Sequence, residues 1–142
     1  IHVLLKCLLG ENYVLQLQNC NINRPNKEHR QSSWHRDLPY QNYVPSKPFS
    51  INAFFCLSPF SKETGGTLFL PYSHRFEQFP SDEFLDENEI QPNLDSGDVI
   101  FFDSWLYHRA GLVELSNRGL GRSPAKGPST VICPLPQMTS FC

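Results

Sequence analysis

The sequence predicts an all-β sandwich or barrel with a minor helical part. Short apolar stretches, several of them rich in Phe, alternate with turn signals at close spacing, and the 8 Gly and 12 Pro are spread along the 142 residues. Many short strands joined by tight turns are typical of β-sandwiches and barrels. With 39% hydrophobic residues and 11 Phe, the chain can build the core of one domain.

Five stretches have the composition and length of strands. Residues 49–57 form an apolar run typical of a buried strand, and residues 13–18 end in an alternation of polar and apolar side chains. The other three, each followed directly by Pro or Asp, are 32–38, 67–70 and 99–102. The polar stretches 21–31 and 39–48 are predicted loops.

Two stretches are predicted to be helical. Residues 1–9 are expected to end a helix at Gly10, because Gly readily adopts the left-handed conformation that closes helices. Ser81 is a suitable N-cap for one or two helical turns in the acidic stretch 81–89.

Charge and cysteine content narrow the classes of partner. The net charge is −2 and no Lys- or Arg-rich stripe is present, which argues against nucleic acid. The apolar start is far shorter than the roughly twenty residues that span a membrane. Five cysteines without C-x-x-C spacing indicate a reducing, cytoplasmic location and not a disulfide framework or a zinc knuckle.

The composition changes near the end of the chain. No acidic residue follows Glu114, Gly and Pro become frequent, and a strand pattern persists only at Thr130–Cys133. We therefore divide the chain into a partial domain, residues 1–117, and an atypical tail, residues 118–142, which is disordered or the product of a shifted reading frame. The absent initiating Met further suggests a fragment whose N-terminal part is missing.

The residues that point to chemistry are His35, Asp37 and His108. Side chains at i and i+2 of a strand share a face, so His35 and Asp37 would face one cavity while Arg36 points away. Two imidazoles and one carboxylate bind iron(II) on one face and leave the opposite positions open. The alternative is an ordinary structural His–Asp pair, and the spacing alone favours neither.

Several stretches, which occur in the expected order along the chain, resemble the phytanoyl-CoA dioxygenase family of iron(II)- and 2-oxoglutarate-dependent oxygenases. The resemblance covers about Glu11 to Gly111. The stretches that carry it are Gln18–Asn19, Trp34–Tyr40, Asn52–Leu57, Glu63–Thr67, Leu70–His74 and Gly97–Gly111.

The resemblance implies a double-stranded β-helix, a cupin-like jelly roll, here incomplete at both ends. It also implies that His35, Asp37 and His108 bind Fe(II). 2-Oxoglutarate and O2 would then be converted to succinate and CO2 while a small organic substrate is hydroxylated. No feature selects a particular substrate or oligomeric state.

The far carboxylate of 2-oxoglutarate needs a cation, and Arg matches it with two parallel hydrogen bonds. In the family this Arg lies about eleven residues after the second His, where this chain has Gly119. Arg118 is the best candidate and Arg122 lies later, whereas Arg109 would point to the opposite side of its strand. A solvated Arg118 is the equal alternative. Gln18 and Thr67 are candidate pocket residues, with a solvent-facing Gln and a turn-exit Thr as their alternatives.

Three functions remain open. The first is the dioxygenase. The second is a catalytically silent cupin-like module that binds a metal or small ligand. The third, a zinc hydrolase, is disfavoured because no clear general base accompanies the triad.

Overall fold

The described part of the chain is rich in strands and carries two short α-helices. The structure is a computed structural model, and it describes residues 1–24, 31–37, 44–112 and 130–140. In chain order, its elements are α1 His2–Leu9, β1 Tyr13–Leu17, β2 Asn21–Asn23, β3 Ser50–Cys56, β4 Leu68–Phe69, a 3-10 helix Ser73–Arg75, α2 Asp82–Asn88, β5 Val99–Asp103, β6 His108–Arg109 and β7 Thr130–Ser140. The predicted strand-rich architecture with a minor helical part is therefore confirmed.

Two antiparallel sheets organise these strands. The larger has the order β1-β7-β3-β5, with β2 also paired to β7, and the smaller consists of β4 and β6. Asn52 of β3 lies opposite Phe102 of β5, and Phe69 of β4 lies opposite His108 of β6. The pairing thus brings segments that are distant in sequence to the same part of the molecule.

The two faces of β3 contact different cores, because side chains alternate along a strand. On one face, Ile51 packs with Leu5 and Leu9 of α1. On the other, Phe54 and Cys56 join a cluster completed by Phe60, Phe69 and Phe102. The aromatic rings of this second cluster lie beside His108, one of the predicted ligands.

Local sequence signals determine where the helices begin and end. Gly10 follows α1 with φ of 88°, and its N–H donates to the carbonyl of Lys6. Ser81 caps α2 as predicted, since its hydroxyl accepts from the N–H of Phe84 at 3.4 Å. No helix in the described ranges is both long and apolar enough to cross a membrane.

Two predicted boundaries near the motif are wrong. The described residues of the stretch 32–38 do not form a continuous strand. Only His35 makes a β-bridge, with His108, and the N–H of Asp37 donates to the carbonyl of Ser104. The predicted loop 21–31 begins with strand β2 at residues 21–23. Pairing with β7 explains that strand, and a local pattern could not show a partner that lies more than a hundred residues away.

The tail contributes a strand to the larger sheet. Residues 130–140 form β7, which lies between β1 and β3. The proposed boundary after residue 117 lies outside the described residues, as does the rest of 113–129, so the division of the chain stays a prediction.

The cysteines differ from expectation at one position. Cys7 and Cys56 are free thiols, whereas Cys20 is disulfide-bonded. The sequence indicates a reducing location without a disulfide framework, and the disulfide at Cys20 departs from that expectation.

Candidate metal centre

The structure brings the three predicted ligands together. His35, Asp37 and His108 each offer one ligand atom, and these atoms lie within 4.8 Å of one another. Oδ1 of Asp37 is 3.7 Å from Nε2 of His108 and 4.0 Å from Nε2 of His35. The two imidazole centroids are 4.4 Å apart.

Backbone hydrogen bonds hold this arrangement. His35 and His108 form a two-way antiparallel bridge, with N–H to carbonyl distances of 3.0 and 3.1 Å. The N–H of Asp37 then donates to the carbonyl of Ser104 at 3.2 Å. These backbone hydrogen bonds therefore join the segment of His35 and Asp37 to the segment that leads from β5 to His108.

Hydrogen bonds at Nδ1 fix the orientation of both imidazoles. Nδ1 of His35 lies 2.8 Å from the carbonyl of Ser33, and Nδ1 of His108 lies 2.9 Å from the carbonyl of Leu106. A carbonyl only accepts, so each Nδ1 carries the proton and donates it. In the neutral rings this leaves a lone pair on each Nε2, directed into the cluster.

Three electron-pair donors therefore converge without a proton between them. The carboxylate of Asp37 also only accepts, and Nε2 of His35 is buried without a hydrogen-bond partner among the described residues. A buried polar atom without a partner is unfavourable, and a cation shared by the three atoms would remove the cost. The donor set fits a divalent metal such as iron(II), which imidazole and carboxylate ligands suit.

Burial keeps His108 in the form that a metal requires. Its side chain is packed against the rings of Phe54, Phe69 and Phe102, with centroid distances of 6.3, 6.2 and 5.0 Å. Burial lowers the pKa of His108 most, Asp37 acts to raise it, and His35 lowers it further. A lowered pKa favours the neutral imidazole, which is the metal-binding form.

Asn52 is a site residue that sequence reasoning did not find. Its side-chain amide donates to Oδ2 of Asp37, whereas the recorded approaches to the two histidines are made by Oδ1. Asn52 is 5% exposed in the middle of β3. The available signal was a polar residue inside an otherwise apolar buried strand.

Arg36 points away from the ligands, as predicted. Its guanidinium donates to the carbonyls of Ser73 and Phe76 at 2.7 and 2.5 Å, and lies 4.1 Å from the centre of the Tyr107 ring. Burial lowers its pKa from the ordinary value. Arg36 thus ties the segment that carries two ligands to the residue directly before the third.

Replacing Arg36 with Lys is expected to lower the free energy of unfolding by about 1–3 kcal/mol, because a lysine has no planar guanidinium that can contact the Tyr107 ring while its Nη2 donates to both carbonyls. Chemical denaturation followed by circular dichroism measures it. Arg75→Lys is the matched control, because Arg75 is exposed in the same corner and should change stability by less than about 0.5 kcal/mol. Equal effects of the two changes would contradict the role of Arg36.

The side chain of Arg109 also points away from the three ligands, on the opposite side of β6 from His108. It pairs with Glu89 at 3.1 Å and lies 5.2 Å from the centre of the Trp34 ring. With Lys62, Gln91 and Glu89 it lines a cleft of about 390 Å³. These contacts support the prediction that Arg109 points away from the ligands.

The other predicted site residues are only partly described. Thr67 is buried directly before β4, whose Phe69 stacks on His108. Gln18 is exposed directly after β1. Arg118 lies outside the described residues. Their roles in binding a co-substrate stay predictions.

Comparison with known families identifies the chain. The family model described as phytanoyl-CoA dioxygenase (PhyH) matches residues 2–114. The chain belongs to the phytanoyl-CoA dioxygenase family. The resemblance found in the sequence is confirmed, and the match includes all three residues of the candidate metal centre.

Individual relatives agree with this membership. The chain is 30% identical over 118 residues to "Dioxygenase af480" of Aspergillus fumigatus, which covers 76% of this chain and 35% of the relative. It is 34% identical over 83 residues to "Uncharacterized protein Rv1501" of Mycobacterium tuberculosis, which covers 57% of this chain and 29% of the relative. The chain thus spans about a third of the length of these curated relatives.

The fold is shared with EctD from S. alaskensis. A structure of EctD with 2-oxoglutarate and 5-hydroxyectoine matches with a TM-score of 0.68 at 20% identity, covering 95% of this chain and 47% of that one. Another EctD structure with bound Fe matches with the same score. The two proteins therefore share a fold.

Proposed function

We propose that this chain is the metal-binding part of an iron(II)- and 2-oxoglutarate-dependent dioxygenase that hydroxylates a small organic molecule. The observation that carries the proposal is the convergence of two Nε2 atoms and one carboxylate oxygen within 4.8 Å, with no proton donor among them. Membership of the phytanoyl-CoA dioxygenase family supports iron as the metal. The proposed complete architecture is a cupin-like jelly roll, of which the two sheets described above are a part.

In this proposal His35, Asp37 and His108 hold the metal from one side. When bound, iron(II) would supply the oxidation in which 2-oxoglutarate loses CO2 and takes one atom of O2 to become succinate, while the other atom is inserted into a C–H bond of the substrate. The chain orients these partners and keeps water away. Phe54, Phe69 and Phe102 surround His108 and exclude solvent on that side.

The proposed partner is a small molecule, the class to which the 2-oxoglutarate and 5-hydroxyectoine in the EctD structure belong. Gln18 and Thr67 are proposed to line the pocket for co-substrate or substrate. A cytoplasmic location stays a prediction from the sequence, and the disulfide at Cys20 is an observation against it.

Arg118 is the proposed anchor of the far carboxylate of 2-oxoglutarate. Loss of a charge-assisted pair costs about 1.5–3 kcal/mol, so Arg118→Gln is expected to raise the KM for 2-oxoglutarate by roughly 10- to 100-fold. Arg122→Gln, the same change four residues later, should leave KM within about twofold of the parent value, less than about 0.5 kcal/mol. Steady-state kinetics measures both, and the reverse result would transfer the role to Arg122.

The test of the proposed function is succinate formation by the purified chain from 2-oxoglutarate with iron(II), ascorbate and air. Succinate above that of the metal-free protein is expected, because the assay supplies the metal, the co-substrate and O2 that the proposed site would use. Metal binding without any succinate would favour the second candidate, a catalytically silent cupin-like module, which the same three ligands would serve equally well.

A further inference from the structure

We propose that Asn52 is a positioning residue of the metal centre, which makes Asp37 bind the metal through one oxygen only. This inference rests on the proposed metal-binding function. Carboxylates bind metals through one oxygen or two, and the choice changes how many positions stay open. The contacts of Asp37 point to one.

The two oxygens of Asp37 have different surroundings. Oδ1 faces the histidines, 3.7 Å from Nε2 of His108 and 4.0 Å from Nε2 of His35. Oδ2 accepts a hydrogen bond from Nδ2 of Asn52. The amide nitrogen must face the carboxylate, because a carboxylate cannot donate to the amide oxygen. Oδ2 therefore already has a hydrogen-bond partner, whereas Oδ1 makes the recorded close approaches to both histidines.

Asn52 is held rigidly. It is 5% exposed, and its strand β3 is paired on both sides, with β5 through Asn52 and Phe102 and with β7 through the neighbouring residues. Ser50 lies on the same face of β3, two residues earlier, and its hydroxyl accepts from that of Ser104 at 3.0 Å. Ser104 in turn accepts the N–H of Asp37.

A single paired strand thus controls both ends of Asp37. Its backbone is fixed through Ser104 and its side chain through Asn52. A carboxylate that is free to rotate could place both oxygens on the metal and occupy a position that a co-substrate or O2 needs. Removal of the amide donor should therefore weaken the site and change the binding mode of the carboxylate.

The test titrates the metal-free 142-residue chain with Co(II) alone and records the infrared difference spectrum of the bound form with 13C-labelled aspartate. Asn52→Leu removes the donor and keeps a similar volume. Its Co(II) affinity should be about 10- to 100-fold weaker than that of the parent chain. The splitting between the antisymmetric and symmetric carboxylate stretches should narrow, as it does when coordination changes from one oxygen to two.

Asn88→Leu is the matched control, because Asn88 is exposed on α2 and bonds only locally to the carbonyl of Phe84 at 2.9 Å in the described contacts. It should bind Co(II) as the parent does. A folded Asn52→Leu chain with parental affinity and splitting overturns the role of Asn52 and leaves the proposed function intact. A parent chain that binds no Co(II) overturns the proposed function itself.

The inference can also be overturned without any variant. If Asn52→Leu fails to fold, the splitting in the parent chain decides. A wide splitting, typical of coordination through one oxygen, is expected. A narrow splitting in the parent chain would mean that both oxygens bind the metal despite Asn52.

Discussion

Replacing His35 with Ala should abolish succinate formation and weaken iron(II) binding by more than about 100-fold, because a ligand of the metal contributes more than the outer partners whose loss costs 10- to 100-fold. In the metal-free chain the free energy of unfolding should fall by less than about 1 kcal/mol, because Nε2 of His35 is buried without a hydrogen-bond partner among the described residues. Anaerobic titration and thermal unfolding measure the two effects.

His2→Ala is the matched control for His35. The change is chemically identical, and His2 lies on the exposed face of α1, far from the ligand cluster in sequence and hydrogen-bonded to Tyr13. It should leave iron affinity and turnover unaltered. Undiminished turnover in His35→Ala would remove His35 from the set of ligands, whatever the control does.

Gly111→Ala is expected to have the largest effect on stability. A Cβ at this position would lie 2.2 Å from the carbonyl oxygen of Gly66, 2.6 Å from Nε2 of Gln91 and 3.0 Å from the backbone of Gly65. Backbone atoms cannot move aside as a flexible side chain can. The free energy of unfolding should fall by at least about 3 kcal/mol, the upper range for overpacking.

The neighbourhood of Gly111 explains why little relaxation is available. Nδ2 of Asn23 donates to the carbonyls of both Gly65 and Gly111, at 2.8 and 2.7 Å. Gln91 donates to the carbonyl of Gly66 at 2.6 Å. Two segments therefore cross at backbone distance, and only a residue without a Cβ fits between them.

Gly10→Ala is the control that distinguishes the steric clash at Gly111 from the general loss of stability when a Gly with positive φ is replaced. Gly10 has φ of 88° but no atom within 4 Å of its would-be Cβ. With ψ of −175° it lies in a backbone region that essentially only Gly adopts, so its replacement should cost about 1–3 kcal/mol through backbone strain alone. Urea denaturation of both variants compares them, and equal losses would show that the crossing at Gly111 is looser than described.

Much of the metal centre could be predicted because its signals are local. His35 and Asp37 are two residues apart, so an extended backbone places their side chains on the same side. The same alternation correctly predicts that the side chain of Arg36 points to the opposite side. Their meeting with His108 required the ordered motifs of the family. It did not require the strand predicted for 32–38, because a single bridge between His35 and His108 suffices.

The parts that could not be predicted depend on long-range pairing. The bond from Asn52 to Asp37 depends on the position of β3 beside the motif. A polar residue in a buried strand marks Asn52 in the sequence, but it does not show which residue Asn52 contacts. Strand β2 exists because β7 pairs with it. The disulfide at Cys20 is likewise not indicated by the spacing of the cysteines along the chain.

The most direct measurement is the iron(II) stoichiometry of the metal-free chain by anaerobic equilibrium dialysis, in the parent and in a variant with both His35 and His108 replaced by Ala. One iron per parent chain and none in the variant is expected if the three converging side chains are the ligands. No bound iron in the parent, or equal iron in both proteins, would contradict the assignment of the metal centre.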